Sequence, residues 1–438
     1  MSKIENNRNN TIEPRRVVIT GMGAVSPAGI GVDALFNAAV DGKCAISPLE
    51  NEVAEAVNIH VAGLVHDFDA IQLGLTKKQA RRWEKFVQYA VVAADEAMKQ
   101  ANLVQNSEDN NESPWQLSDG IDAHRFAVVF GSGIGGMDTF TNESVKLHEK
   151  GGKRVSPLFI PTIISNIAAG ELAIRFGLKG ECTNCVVACA TGTQCIGDAY
   201  RLIRFGIADR ALCGGAEESI SDISIAGFAN LGALTHESDP LLASRPFDIN
   251  RSGFVAGEGA GALVLESLDS ALERNAHIIA EIVGFGATGD AYHITAPEPS
   301  GEGVARAMQM ALDEAGFEPS DIGHLNAHGT STGLNDSTEA HALCKLLDTD
   351  KADIPVTSTK GITGHMLGAA GAIEAIVCAL SLANNLVPPT AGFAEADPEC
   401  PVTVLTEALR NYPQKIALSN SIGFGGHNTT LALAPYQE

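Results

Sequence analysis

Apolar residues recur along this chain in two periods. Short, nearly continuous runs such as Val17-Val-Ile-Thr-Gly-Met-Gly-Ala-Val-Ser26 and Phe126-Ala-Val-Val-Phe130 have the length and β-branching of buried strands. Between them, stretches such as Lys78 to Gln100 and Gly301 to Ala315 place apolar residues three or four apart and predict helices. Strands alternating with helices over the whole length predict an α/β fold. Two pairs of segments further predict an internal duplication. Val17 to Ser26 matches Ala280-Glu-Ile-Val-Gly-Phe-Gly-Ala-Thr-Gly289, and Phe126 to Gly136 matches Ile416-Ala-Leu-Ser-Asn-Ser-Ile-Gly-Phe-Gly-Gly426, in the same order. Two α/β halves follow, residues 14–265 and 277–436. The acidic stretch Gln105 to Asp122 reads as a solvated surface loop between a helix and the strand at Phe126, with no chemistry of its own.

Composition narrows the function classes. With 438 residues, 45% of them hydrophobic, the chain can bury one large core or two fused half-cores. A formal net charge of −23 argues against nucleic acid as a partner, because phosphate neutralisation needs a basic face. The first sixteen residues are polar and lack the apolar segment of an export signal, so a frayed terminus and a cytoplasmic location are expected. The most apolar stretches, Ile373 to Leu382 for example, are shorter than the about 20 residues that cross a bilayer, so no membrane segment is expected. Nine cysteines in such a setting should be reduced thiols.

Three motif readings compete before any chemistry is assigned. Gly131-Ser-Gly133-Ile-Gly-Gly136 and Gly284-Phe-Gly286-Ala-Thr-Gly289 match a dinucleotide-binding glycine pattern, but the first lacks the second strand and acidic residue that a Rossmann unit requires. Cys182, Cys185, Cys189 and Cys195 resemble a metal-ligand run. On a strand, however, Cys182 and Cys185 would face opposite sides, and Cys182, Cys185 and Cys195 read better as small core residues. His324 and His328 have the spacing of helical zinc ligands yet lead into Gly-Thr-Ser-Thr, so a strand end that cannot share one metal is expected. No metal site is expected.

The remaining signal is Val186-Val-Ala-Cys189-Ala-Thr-Gly-Thr, which runs from a β-rich stretch into a helical pattern with apolar positions Ile196, Ala199, Tyr200 and Ile203. A thiol at a helix N-terminus meets the positive end of the dipole and free amides, which favour the thiolate. Two further segments, Asn326-Ala-His328-Gly-Thr-Ser-Thr332 and Lys360-Gly-Ile-Thr-Gly-His365-Met-Leu-Gly-Ala-Ala-Gly, put a histidine beside glycine and hydroxyl residues. Together with Gly423-Phe-Gly-Gly426, these motifs closely resemble the elongating β-ketoacyl-acyl-carrier-protein synthases, in the family's order and over about residues 15–436. The Cys-His-His pattern resembles the elongating rather than the initiating enzymes, and Ile134 resembles the type II members.

The resemblance implies a thiolase fold, two duplicated halves in a five-layer α-β-α-β-α sandwich, and a homodimer. It implies an acyl group carried on Cys189, and condensation with malonyl-acyl-carrier protein assisted by His328 and His365. Backbone amides of Cys189 and Phe424 would form an oxyanion hole, with the Phe424 ring gating the acyl pocket. Lys360 would bias nearby protonation, with Asp336, Glu339 and Glu374 around it, although Asp336 and Glu339 could equally be helix-surface acids. Thr330, Thr332 and Thr295 would meet the pantetheine arm, where the family often has serine in place of Ala296. Ile134, with Phe159 of a second subunit, would close the acyl channel. No cofactor is expected beyond the 4'-phosphopantetheine that arrives on the carrier protein. Because that partner is acidic in this family, docking would need a local basic patch. Lys77, Lys78, Arg81, Arg82 and Lys85, together with Lys153 and Arg154, supply the candidates. Two other readings remain. A type II polyketide ketosynthase shares every catalytic residue, and a non-catalytic chain-length-factor-like subunit would lack the cysteine.

Overall fold

The computed structural model describes residues 13–107 and 113–437. The polar residues 1–12, expected above to fray, and the tip of the 105–122 stretch lie outside the described residues. In chain order the principal elements of the first half are β1 (Val17–Ser26), α1 (Lys77–Arg82), α2 (Lys85–Gln100), β2 (Phe126–Gly131), α3 (Ile167–Phe176), β3 (Cys182–Thr183), α4 (Thr191–Arg204), β4 (Arg210–Glu217) and β5 (Gly259–Ser267). The second half follows with β6 (Ala280–Gly289), α5 (Glu302–Ala315), β7 (Ile322–Asn326), α6 (Gly333–Leu346), β8 (Ala352–Thr357), α7 (Ala370–Ala383), β9 (Val402–Val404), β10 (Ile416–Gly423) and β11 (His427–Ala434).

The strands hydrogen-bond in the order β9-β8-β7-β10-β11-β6-β1-β5-β4-β2-β3, joined at a short antiparallel seam where Val17 to Ile19 meets Ala280 to Ile282. From the seam outward, each half has two antiparallel pairings followed by parallel ones, two in the first half and three in the second. This is the expected duplication, and it corrects one of the two segment matches. Ala280–Gly289 is the counterpart of Val17–Ser26, because both are seam strands. The counterpart of β10 is β4, third from the seam, whereas Phe126–Gly131 is fourth and answers to β7. The glycine-rich ends that made β2 and β10 look alike reflect close backbone approach near one site, not equivalence of position.

Helices α4 and α7 lie between the halves and pack on strands of both. Helix α2 covers β1 and β5, α3 covers β2, and α5 covers β6 and β11, which completes five layers. The central position explains the composition of α7. A helix apolar on all sides has no face to offer solvent, and twelve of its fourteen residues are buried. Helix α4 turns Ile196, Ala199, Tyr200 and Ile203 into the same core.

Three local expectations change. The helix expected over 78–100 is two helices, because Trp83 and Glu84 are extended; α1 buries no residue, whereas α2 buries most of its own. The polar 105–122 stretch is partly a ribbon, Val104–Asn106 against Trp115–Leu117, anchored by Trp115 Nε1 donating to Asp95 at 2.9 Å. Cys195 is buried and Cys185 half-buried, but Cys182 is exposed on β3, an edge strand with no strand on its outer side among the described residues. No helix among the described residues is long and apolar enough to cross a membrane.

Candidate active site

The nucleophile candidate sits where the chain enters the central layer. Strand β3 ends at Thr183, earlier than the sequence pattern indicated, and irregular residues lead to a 3-10 turn, Ala188–Ala190, that feeds α4. Ala188 adopts φ 51, a left-handed conformation that costs a non-glycine residue of order 1–3 kcal/mol. Thr191 anchors the turn by accepting from Val187 N at 3.0 Å. Cys189 is thereby held at the floor of a pocket of about 480 Å³, also lined by His328, His365, Phe424, Thr295, Ala296, Thr330 and Thr332.

The helix-dipole expectation for Cys189 is incomplete. Burial pushes its thiol up to about 12, against the opposing pull of Lys360 and of hydrogen bonds from the backbone N–H groups of Phe424 and of Cys189 itself. The resting group is therefore a thiol. The same two amides converge on the sulfur, which is where an oxyanion hole for an acylated cysteine would need its donors.

His328 lies just beyond β7, whose end is fixed by two carboxylates one turn apart on α6. Glu339 accepts from His328 N at 2.8 Å, Gly329 N at 2.9 Å and Asn420 Nδ2 at 3.1 Å. Asp336 accepts from Thr330 N, Ser331 N and Phe247 N at 2.9 to 3.1 Å. Both acids are almost fully buried, so the helix-surface alternative is excluded. Burial raises the pKa of each against these bonds, that of Glu339 to about 7.

His365 follows a helical turn, Lys360–Thr363, and its backbone is pinned to the first half: His365 N donates to Val255 O at 2.7 Å, and its carbonyl accepts from Gly257 N at 2.9 Å. The two imidazoles stand edge to face, with centroids 5.1 Å apart, and Phe254 packs on His365 at 5.2 Å. Burial and the neighbouring Lys360 hold both histidines well below the usual imidazole pKa, so both are neutral.

Lys360 is itself buried and links the cluster, with Nζ 3.2 Å from His328 Nδ1 and 2.5 Å from Glu374 Oε1. An ammonium can only donate, so Nδ1 of His328 is an acceptor and the ring proton resides on Nε2. Burial raises the Glu374 carboxyl and Lys360 opposes it. Thr330 and Thr332 share a hydroxyl contact of 2.8 Å on the pocket wall, and Ala296 offers that wall only a methyl group.

Other candidates lie elsewhere. Ile134 and Phe159 are half-buried and do not line this pocket; Phe159 stacks at 6.2 Å on Phe140. Lys77, Lys78, Arg81, Arg82 and Lys85 are exposed on α1 and at the start of α2, as are Lys153 and Arg154 in a short turn. Arg82 shares a small crevice with Pro161 and Thr162, which sets the end of α1 beside the segment that follows that turn. Among the described residues no group of three or more His, Cys, Asp or Glu could hold a metal, and His324 instead meets Thr357 Oγ1 at 2.8 Å. Sequence reasoning missed Phe254 and Glu217. Neither stands in a motif beside a nucleophile or histidine, and only the acid ending the apolar run Ala211 to Glu217 could have signalled the second.

Comparison with known proteins agrees with this geometry. The family model for the β-ketoacyl synthase N-terminal domain matches residues 14–271, and that for its C-terminal domain matches residues 279–394. A 3-oxoacyl-[acyl-carrier-protein] synthase 2 of Staphylococcus aureus (strain COL) is 46% identical over 97% of this chain and 99% of its own length. The protein of that name from Synechocystis is 43% identical over 97% and 99%. Among solved structures, a β-ketoacyl synthase from Burkholderia phymatum superposes with a TM-score of 0.87 at 33% identity, covering 97% of this chain and all of its own. A type II polyketide ketosynthase in complex with its acyl-carrier protein superposes at 0.85 and 33% identity, with the same coverage. On its paired domains, its full-length relatives and its duplicated five-layer fold, this chain belongs to the β-ketoacyl synthase family.

Proposed function

We propose that this protein is a 3-oxoacyl-acyl-carrier-protein synthase of fatty acid elongation, joining a cysteine-bound acyl chain to malonyl-acyl-carrier protein with loss of carbon dioxide. The observation that carries the reading is the convergence of Cys189, neutral His328 and neutral His365 on one pocket, with Lys360 fixing the tautomer of His328. The relatives that share the greater identity carry the name 3-oxoacyl-[acyl-carrier-protein] synthase 2, at 46% against 33% for the polyketide enzyme, which favours elongation over the polyketide reading.

In the first half-reaction the Cys189 sulfur attacks the acyl thioester, and its proton leaves with the pantetheine thiol. In the second, the malonyl carboxylate departs as carbon dioxide and the electron pair becomes an enolate. His328 Nε2–H and the ring N–H of His365 stabilise that oxygen. The enolate carbon attacks the Cys189 thioester, and the resulting oxyanion sits on the amides of Cys189 and Phe424. Collapse releases the 3-oxoacyl product and the Cys189 thiolate, which is reprotonated. Thr295, Thr330 and Thr332 line the pocket wall suited to the pantetheine arm. Ile134, with Phe159 of a second subunit, would close the far end of the acyl channel, beyond the pocket at Cys189.

The partner is an acidic acyl-carrier protein, docked on the basic residues of α1 and on Lys153 and Arg154. A homodimer is supported by the bare edge of β3 beside exposed Leu158, Ile160, Ile164, Ile174 and Val186. Nine free thiols suit the reducing cytoplasm.

Intact-mass spectrometry tests the assignment. The wild type should gain one acyl group from acyl-acyl-carrier protein, and Cys189→Ala none. His328→Ala and His365→Ala should acylate yet fail to condense. Stable acyl group on Cys182, Cys185 or Cys195 would overturn it.

A further inference from the structure

Glu217 ends β4 with no exposed surface. Its carboxylate collects four donors from two segments. Oε1 accepts from Ser132 Oγ at 2.8 Å and Ile134 N at 3.2 Å; Oε2 accepts from Gly133 N at 2.8 Å and Gly368 N at 3.0 Å. Ser132 Oγ already accepts from Gly135 N at 2.9 Å, so its hydrogen is committed to Glu217. All four bonds run toward the carboxylate, the pattern that favours an ionised acid, and they oppose the burial that raises its pKa.

The two tied segments have different roles. Ser132 to Gly135 is the turn carrying Ile134, and Gly368 stands three residues past His365, next to Leu367, which lines the Cys189 pocket. The grip is close: a Cβ on either Gly133 or Gly368 would lie 2.7 Å from Glu217 Oε2, so glycine is required at both. Gly133 also lies against the carbonyl of Ala188, the residue before the nucleophile.

We propose that Glu217 is a positioning residue that fastens the Ile134 turn of the acyl channel and the segment following His365 onto one carboxylate, so that chain accommodation and the condensing site are set together. The proposal rests on the condensing-enzyme reading for the meaning of the Ile134 turn. Its buried negative charge also acts on the nucleophile, since Glu217 is among the groups that raise the Cys189 thiol.

That second effect gives a readout that packing alone would not move. Glu217→Gln keeps the shape and removes the charge, so the Cys189 pKa should fall and its thiolate fraction rise. Iodoacetamide alkylation of Cys189 at pH 8, read by peptide mass spectrometry, should be at least about threefold faster than in the wild type. Acylation by long-chain donors should fall more than acylation by short ones. In a variant that melts near the wild type, an unchanged alkylation rate or an equal loss at all chain lengths overturns the proposal. Should Glu217→Gln not fold, Ser132→Ala keeps the charge and drops one donor. It should shift the chain-length profile while leaving alkylation unchanged, and an unaltered profile overturns the proposal. Alkylation needs no acyl substrate, so a wild type that accepts no acyl group would sink the condensing reading while the charge effect of Glu217 is still tested.

Discussion

Cys189 and the two histidines share a neutral resting state, imposed on all three by burial. A thiol with a pKa of about 12 beside uncharged imidazoles avoids an ion pair in a buried site. It leaves imidazole N–H groups as uncharged donors for a developing enolate, and charge then appears only where donors already point. The same burial acts on His324, which lies outside the pocket, has no exposed surface and is pushed down to about 3. Its folded pKa is below the unfolded value of about 6.5, so the unfolded chain binds the extra proton below that pH. The stability it supports is whole above about pH 6.5 and is lost as the pH falls toward 3, at about 1.4 kcal/mol per pH unit. Relative to His324→Gln, the wild type should therefore lose about 2 kcal/mol more between pH 6.5 and 5, read from urea unfolding at the two values. Parallel pH dependences would show that His324 is solvated or protonated in the folded state.

At the scale of elements, α1 is set apart from the rest of the half it belongs to. Six residues, four of them basic, bury nothing, begin with a Thr76 and Gln79 capping box, and turn away from α2 at the extended pair Trp83 and Glu84. A helix this short is marginal on its own, so its persistence rests on the cap and on Gln88 Nε2, which donates to Ala80 O and Trp83 O at 3.1 and 2.7 Å. Such a platform suits a charge-guided contact better than a structural one. Charge reversal at Arg81 and Arg82 should raise the KM for acyl-acyl-carrier protein severalfold, more at low salt than at high, with little change toward acyl-coenzyme A. Equal losses with both donors would make α1 a structural element.

For the whole molecule, the edge strand β3 and the apolar residues around it face outward on a chain of net charge −23. Covering them with a second copy would bury the edge and place both nucleophile loops near the shared face. Ile160 is 57% exposed, so Ile160→Asp costs little within one chain but would desolvate a charge at such an interface. Sedimentation velocity should show a dimer for the wild type and a concentration-dependent shift toward monomer for the variant. A wild-type monomer at micromolar concentration would remove the interface.

What the chain determines by itself is whatever depends on neighbours in sequence. Apolar runs of strand length, helical spacing and the motifs around Cys189, His328, Lys360, His365 and Phe424 carried the fold class and the chemistry, because each is a local pattern whose meaning survives without contacts. Tertiary structure decided what depends on distant partners. That Asp336 and Glu339 are buried clamps rather than surface acids follows from the packing of α6 against the end of β7 and from β10, which brings Asn420 to Glu339 across 81 residues. That β4, not β2, is the counterpart of β10 follows from sheet order, which no segment similarity encodes. Glu217 is marked in the sequence only as the acid ending an apolar run, because its four donors come from residues 83 to 151 positions away, and the resting thiol of Cys189 is not legible there because a helix N-terminus can be read locally whereas the desolvation that outweighs it cannot.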